Sequence, residues 1–283
     1  MLAGCCAFVG FYATQPLLPL FASIFHASAV SVSLTVTAAA AGVAIAAPSA
    51  GAVADRLGRK RVIVLSAALV TFATLMAATS SGLPSLILWR FLLGVFTPGI
   101  FAITVAYIHE EWPAEVMGSA TAAYVTGTVI GGFSGRVISG FVATHLGWRA
   151  VFLVLGAINA LGTAALIAWL PRERRFRRAK QVAPWKAALA HLRNSQLAAT
   201  YAVGFCVLFS LVGTFTYITF YLAAPPFHLR PASLGSIFFV YLVGAVITPL
   251  SGKAIDRYGH RAALSVAVAA GAGGVLLTLG PRL

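Results

Sequence analysis

Charged side chains are scarce in this sequence, and acidic ones are the scarcest. Charged residues make up 9% of the 283 positions and include six Asp or Glu, whereas hydrophobic residues make up 60%. A soluble domain carries about 25% charged residues. The lack of charge, together with a mean hydropathy of +0.92, excludes an ordinary soluble domain and indicates a membrane protein.

Other signatures are lacking as well. Segments of about 10 residues that alternate apolar and polar positions, as transmembrane β-strands do, are not found. The three cysteines lie in apolar runs without metal-ligand spacing, so neither a disulfide framework nor a metal site is expected. Without a Walker loop or a nucleophile triad, the sequence predicts no ATP-driven step, no enzyme and no cofactor.

Apolar runs near the roughly 20 residues that a helix needs to cross hydrocarbon recur along the whole chain. The sequence therefore predicts an all-α integral membrane protein, a bundle of about nine transmembrane helices. Their approximate bounds are residues 2–25, 30–53, 62–80, 84–108, 117–141, 148–170, 196–221, 231–252 and 262–280. We divide the chain into a six-helix N-terminal half (1–170), a basic linker (171–195) and a partial C-terminal half of three helices (196–283).

Lys and Arg residues are concentrated on one side of the predicted bundle. Fifteen of the twenty fall in the loop at residues 56–61, in the linker or in the loop at residues 253–261. Basic loops stay in the cytoplasm, so this asymmetry predicts a cytoplasmic N-terminus. The net charge of +14 then reflects topology and affinity for anionic headgroups of the lipid bilayer, and nucleic acid is not an expected partner.

The stretch "GAVADRLGRKR" at residues 51–61 returns 201 residues later as "GKAIDRYGHRA". The paired residues are Gly51 and Gly252, Asp55 and Asp256, Arg56 and Arg257, Gly58 and Gly259, and Lys60 and Arg261. Both copies join the second and third helix of their half. Parallel internal repeats of this kind are a construction principle of secondary transporters.

The first copy resembles the signature loop of the major facilitator superfamily. The matching residues are Gly51, Asp55, Arg56, Gly58, Arg59 and Lys60. "RFLLG" at residues 90–94 and "GWR" at residues 147–149 resemble further motifs of that superfamily. "YATQPLLP" at residues 12–19 and "GGFSGRVISG" at residues 131–140 are similar to its arabinose-efflux-permease branch. The resemblance covers essentially the whole chain and implies a transporter of the bacterial inner membrane.

The chain departs from that superfamily in two respects. The resemblance implies twelve helices, and by the repeat offset helices ten to twelve are absent, so we expect a gene fragment or an incomplete reading frame. A real nine-helix protein is the alternative. The antiporter motif of the drug-exporting relatives on helix five, Gly-x-x-x-Gly-Pro-x-x-Gly-Gly, here lacks its proline and ends in Arg136, so drug:proton antiport does not follow from the resemblance.

The resemblance implies that the motif loop helps to hold an outward-facing state through contacts between the two halves. The implied gating set is Gly51, Asp55, Arg56, Gly58, Arg59 and Lys60 with Gly252, Asp256, Arg257 and Gly259. Glycines permit a tight turn, and Asp55 can accept hydrogen bonds at a helix end. For Arg59 and Lys60 the alternative is a basic anchor that only fixes topology.

Two arginines fall inside predicted helices, where a charge is costly and normally faces a cavity or a partner. Arg90 on helix four is a candidate for the substrate cavity or for coupling, and its alternative is snorkelling to the outer headgroups. Arg136 on helix five is a candidate for the same site, and its alternative is packing within a glycine-rich interface.

Tyr12 and Gln15 on helix one can offer hydrogen bonds to a solute, because the resemblance implies that helix one lines the cavity; they are equally interpretable as interhelical contacts. Tyr217 on helix seven is a weaker cavity candidate. The glycines Gly127, Gly131 and Gly135, spaced by four, are predicted to let a neighbouring helix approach closely.

These observations predict a secondary active transporter that moves a small solute by alternating access. Efflux and a coupling proton are implied by the resemblance alone, because no Asp, Glu or His lies inside a predicted helix to mark a proton path. A non-transporting receptor or assembly protein on the same scaffold is the alternative. A monomer is expected, with the bilayer and the solute as partners.

Overall fold

The computed structural model describes residues 1–173 and 194–277. Most of the predicted linker lies outside these residues. So do the side chains at 244–256, 260 and 275 within the last helix, and with them the predicted gating residues Gly252 and Asp256. The described residues form helices and turns without strands, which confirms the all-α fold class. The chain divides into two compact units, Met1–Phe238 and Phe239–Leu283.

Eleven α-helices follow one another in the described residues. They are α1 (Leu2–Phe8), α2 (Leu18–Ile24), α3 (Ala29–Leu57), α4 (Arg59–Ala77), α5 (Leu83–Phe96), α6 (Pro98–Glu111), α7 (Ala114–Leu146), α8 (Trp148–Trp169), α9 (Ser195–Ala223), α10 (Pro231–Ser236) and α11 (Val240–Leu277), with 3-10 turns at Gln15–Leu17 and Ile237–Phe239. Six helical segments of the described chain are long and apolar enough to cross a membrane, with α5 and α6 counted as one. The count of nine transmembrane helices stays a prediction.

Glycines with positive φ allow one helix to follow another directly. Gly58 has φ 93° between α3 and α4, and Gly147 has φ 82° between α7 and α8. Side chains rarely adopt this conformation, which glycine reaches without a steric penalty. The turn returns at Gly259, where φ is 80° inside α11, at the repeat position that corresponds to Gly58.

The predicted continuous first helix is wrong, because the segment is broken. After α1 ends at Phe8, residues 9–14 form turns, and a 3-10 turn and α2 complete the crossing. Gly10 favours a break, and Pro16 and Pro19 lack the backbone N–H that a helix interior needs. Pro98 similarly separates α5 from α6 at Thr97.

The broken first segment packs directly on α7. A Cβ at Gly127 or Gly135 would collide with the carbonyl oxygen of Met1 or Val9, and one at Gly131 would lie 2.6 Å from the Cys5 oxygen. The three predicted packing glycines therefore form the face of α7 that touches the α1 backbone. In the same unit α3 packs on α5, and α4 packs on α8.

This close contact predicts that a single methyl group added to the glycine face of α7 destabilises the protein. Gly135→Ala should lower stability by about 1–3 kcal/mol, because the backbone of Val9 cannot move away without disturbing the first segment. Thermal unfolding of the detergent-solubilised protein measures the effect.

The matched control is Gly118→Ala on the same helix, where an added Cβ meets open space among the described residues. Alanine favours the helix over glycine by up to about 1 kcal/mol, so this variant should be neutral or slightly more stable. Equal losses in both variants would contradict the close contact.

Candidate functional site

The motif loop forms a network of charges at one end of the helices. Arg59 Nη1 donates to Asp55 Oδ1 at 2.6 Å across the α3–α4 turn. Its Nε and Nη2 donate to the two carboxylate oxygens of Glu110 at 3.1 and 2.8 Å. This two-point geometry is the strong form of an Arg–carboxylate pair. The motif thereby ties the end of α3 and the start of α4 to the end of α6.

A second carboxylate, Glu173, lies against the same turn. Glu173 Oε2 accepts a hydrogen bond from the Lys60 backbone N–H at 3.0 Å, and a Cβ at Gly58 would collide with this side chain. The Lys60 ammonium donates to the carbonyls of Ile167, at 3.2 Å, and Leu170 at the end of α8. An acid at the start of α4 and a cation at the end of α8 both complement the helix dipoles.

The remaining motif residues are more exposed. Gly51 is exposed, and so is Arg56, which lines a cavity of about 670 Å³ together with Lys60, Arg172 and Glu173. In the second copy, the Arg257 guanidinium lies 5.4 Å from the ring centre of Tyr258. The gating role of the whole set stays a prediction.

Arg90 binds the backbone where the first segment breaks. Its Nη1 donates to Gly10 O at 2.7 Å, its Nη2 to Phe11 O, and its Nε to Thr35 O on α3 at 3.1 Å. The side chain is 1% exposed, so the alternative in which it snorkels to the headgroups is wrong. One turn later, a Cβ at Gly94 would collide with the α3 backbone, which explains the Arg-x-x-x-Gly spacing.

Three of the predicted cavity residues meet in one buried group, which we call the Arg136 cluster: Tyr12, Gln15, Arg136, Thr216 and Phe238. Arg136 Nε donates to Gln15 Oε1 at 2.7 Å, and its Nη1 donates to the carbonyl of Gly132 at 2.6 Å. The guanidinium carbon lies 4.4 Å from the ring centre of Tyr12 and 4.8 Å from that of Phe238. Gln15 Nε2 also lies 3.2 Å from Thr216 Oγ1 and donates to it.

The Arg136 cluster contains residues from both halves of the chain. Thr216 and Phe238 come from the C-terminal half, and sequence reasoning missed them because they are an ordinary threonine and phenylalanine in apolar segments. Tyr217, the predicted candidate on α9, is half exposed, whereas the neighbouring Thr216 is buried in the cluster.

The two halves also touch through small residues farther along α7. A Cβ at Gly140 would collide with the Pro231 carbonyl, and the Ala232 backbone N–H donates to Thr144 Oγ1 at 3.0 Å. These contacts lie at the end of α7 that is opposite the motif loop. Residues 199–211 of α9, which lie nearer the motif-loop end, are exposed.

The described residues contain no group of three His, Cys, Asp or Glu that could hold a metal ion. Apolar helices of membrane length, buried arginines and a charged turn define a helical membrane protein. The family model of the Major Facilitator Superfamily matches residues 1–281, and the chain belongs to this superfamily.

Two curated relatives agree with that assignment. The chain is 30% identical over 283 residues to the uncharacterized MFS-type transporter YybF of Bacillus subtilis (strain 168), a match that covers 99% of this chain and 70% of YybF. It is 30% identical over 264 residues to the inner membrane transport protein YnfM of Escherichia coli (strain K12), with 91% of this chain and 62% of YnfM covered. The resemblance to YnfM-type proteins that the motifs indicate is thereby confirmed.

A solved structure shares the fold. It is a bacterial homolog of the human lysosomal transporter Spinster in an inward-facing, unoccupied conformation, with a TM-score of 0.74 and 19% sequence identity. The match covers 92% of this chain and 62% of that structure. The chain thus spans about two thirds of the length of these proteins, and the helical fold is what the likeness shows.

Arg90→Lys tests whether the hydrogen bonds of Arg90 stabilise the broken first segment. Lysine keeps the charge, but its three donors sit on one nitrogen and cannot span the carbonyls that Arg90 reaches from three nitrogens, so buried acceptors are left unsatisfied at about 1–3 kcal/mol each. We expect a lower unfolding temperature and faster hydrogen exchange in residues 9–14. Arg149→Lys is the control, because exposed Arg149 donates only to Ser80 O among its described carbonyl contacts, at 3.0 Å. Unchanged exchange in Arg90→Lys would contradict the assignment.

A double-mutant cycle tests the motif network. Arg59→Gln and Glu110→Gln should each destabilise the protein, and the pair should show a coupling energy of about 1 kcal/mol, since each single change breaks the same two-point contact. Chemical or thermal unfolding of the three variants and the unchanged protein gives the coupling. Glu115→Gln, at an exposed position in the first turn of α7, should show none with Arg59→Gln.

Proposed function

We propose that this protein is a secondary active transporter that moves a small solute out of the cytoplasm by alternating access, with its N-terminus in the cytoplasm. The proposal depends most on one observation: the two halves contact each other at the end opposite the motif loop, while α9 is exposed toward the motif-loop end. With the motif loop on the cytoplasmic side, this arrangement is inward-facing. The protein works as a monomer in this proposal.

The face of α9 that would line the inward opening can be identified by its periodicity. Thr216 contacts Gln15, and residues seven and eleven positions earlier lie on the same helix face. These are Phe209 and Phe205, which are 69% and 68% exposed and whose rings stack at 5.8 Å. The face that touches the N-terminal half at its outer end is therefore open at its inner end.

The contacts of the motif support a gating role. Arg59, Asp55 and Glu110 bind three helix ends of the N-terminal half into one body. A body that moves as a unit can swing about the Arg136 cluster while its internal contacts persist. Arg56, which is exposed, remains available to contact the C-terminal half when the inner side closes.

Proton coupling and the outward direction are proposed from the family alone. Among the described acidic residues, Asp55 and Glu110 share Arg59, and Glu173 caps α4 at the same end.

Two single-cysteine reporters test alternating access in the full-length gene product. Cys5, Cys6 and Cys206 are replaced by alanine, and Phe209→Cys reports the inner side while Thr144→Cys reports the outer side. An impermeant maleimide should label Phe209→Cys only from the cytoplasmic side and Thr144→Cys only from the outside. An imposed pH gradient should change the two labelling rates in opposite directions.

Flux provides the second arm of this test. In inside-out vesicles, an acidic lumen should drive uptake of at least one class from a panel of labelled sugars, drugs and organic anions, and a proton ionophore should abolish it. Reporters that never respond to the gradient would contradict alternating access. Responsive reporters without flux of any class would favour the non-transporting receptor.

A further inference from the structure

We propose that the transported solute is a small organic anion carrying a planar group, and that Arg136 binds its carboxylate. This inference depends on the proposed function, because it takes the Arg136 cluster as the solute site. The cluster joins the two halves of the chain, and a solute bound there is in reach of groups from both.

The charge of Arg136 is the first argument. The guanidinium stays protonated in proteins, and the side chain is 2% exposed within a membrane-spanning helix. Gln15 and Gly132 supply acceptors, and Tyr12 and Phe238 supply ring faces, that orient the cation. An anion that enters this cluster adds Coulomb attraction in a medium of low dielectric constant, where such attraction is strongest.

Gln15 is the second argument, because its carboxamide resembles a carboxylate in shape. Gln15 Oε1 occupies the acceptor position 2.7 Å from Arg136 Nε, and Gln15 Nε2 donates to Thr216 on the other half. A solute carboxylate that enters from the inward opening replaces Gln15 Oε1 as the acceptor at Arg136 Nε, so Gln15 turns and its Nε2 leaves Thr216. The freed Gln15 Nε2 then donates to the same carboxylate.

The aromatic rings set the shape of the solute. Tyr12 from the N-terminal half and Phe238 from the C-terminal half lie 4.4 and 4.8 Å from the guanidinium carbon. Ring faces favour a flat, conjugated group over a hydroxyl-rich one, which needs many hydrogen bonds. Because each half supplies one ring, a planar solute contacts both halves and can favour their closure around it.

Benzoate and benzamide are the matched probes, since they have nearly the same shape and differ in charge. Equilibrium dialysis of labelled benzoate against the purified full-length gene product at pH 7.4 should show saturable binding that benzamide does not displace. Arg136→Gln should weaken this binding at least tenfold, and Arg136→Lys should weaken it less. Arg149→Gln, which changes a surface arginine outside the cluster, should leave it unaltered.

Gln15→Glu separates binding from folding. A glutamate at this position places a permanent carboxylate on Arg136 Nε, so benzoate binding should be lost while the unfolding temperature stays the same or rises. A merely structural Arg136 would not produce this combination.

Absent benzoate binding, equal competition by benzamide, or full binding in a folded Gln15→Glu protein would each overturn the inference. Its failure is distinguishable from failure of the proposed function. The cysteine reporters respond to the gradient whatever the solute is, and anion binding is scored in detergent without any flux.

Discussion

Hydrocarbon offers the backbone no hydrogen bonds. The backbone groups left unpaired where a membrane helix is interrupted must therefore find partners within the protein. The first segment of this chain is interrupted at residues 9–14, and Arg90 satisfies two of the carbonyls there by donating to Gly10 O and Phe11 O. The rest of the site depends on this interruption. In the break and directly after it, Tyr12 and Gln15 contact Arg136 on α7, and Gln15 also reaches Thr216 on α9.

The two buried arginines serve different purposes, although each lies in an apolar helix. Arg90 binds carbonyls of neighbouring segments within one half, so its charge is dispersed over backbone dipoles that do not separate. Arg136 binds a side chain that is itself held by the opposite half, and one of its two rings belongs to that half. In the alternating access that we propose, the environment of Arg136 changes as the halves move, whereas that of Arg90 stays the same.

The sequence predicted those features that depend on neighbouring positions. Apolar runs indicated the helices, four-residue spacing indicated the glycine face of α7, and the repeated motif indicated the turn at Gly58 and its copy at Gly259. Contacts between distant positions were not predictable: Glu110 lies 51 residues from Arg59, Glu173 lies 113 from Lys60, and Thr216 lies 201 from Gln15. Periodicity in a single sequence carries no information on such pairs. The break at residues 9–14 was missed because its signals, one glycine and two nearby prolines, also occur in continuous membrane helices.

The described contacts within the N-terminal half are stronger than those between the halves, as the proposed alternating access requires. Within the N-terminal half, Arg59 holds Glu110 at two points, Arg90 holds three carbonyls, and α1 lies against glycine backbone. Between the halves, the described contacts include the Gln15–Thr216 and Thr144–Ala232 hydrogen bonds, a glycine approach at Gly140, the ring of Phe238 and apolar packing of Val212 and Phe220. In the proposed mechanism, the free energies of the two states must differ by only a few kcal/mol. Neutral contacts that can be replaced meet this condition. Strong ion pairs between the halves would favour one state too much. The position of Arg136 fits the proposed mechanism, because its charge stays with one half in either state and its contact with Phe238 of the other half is a ring face.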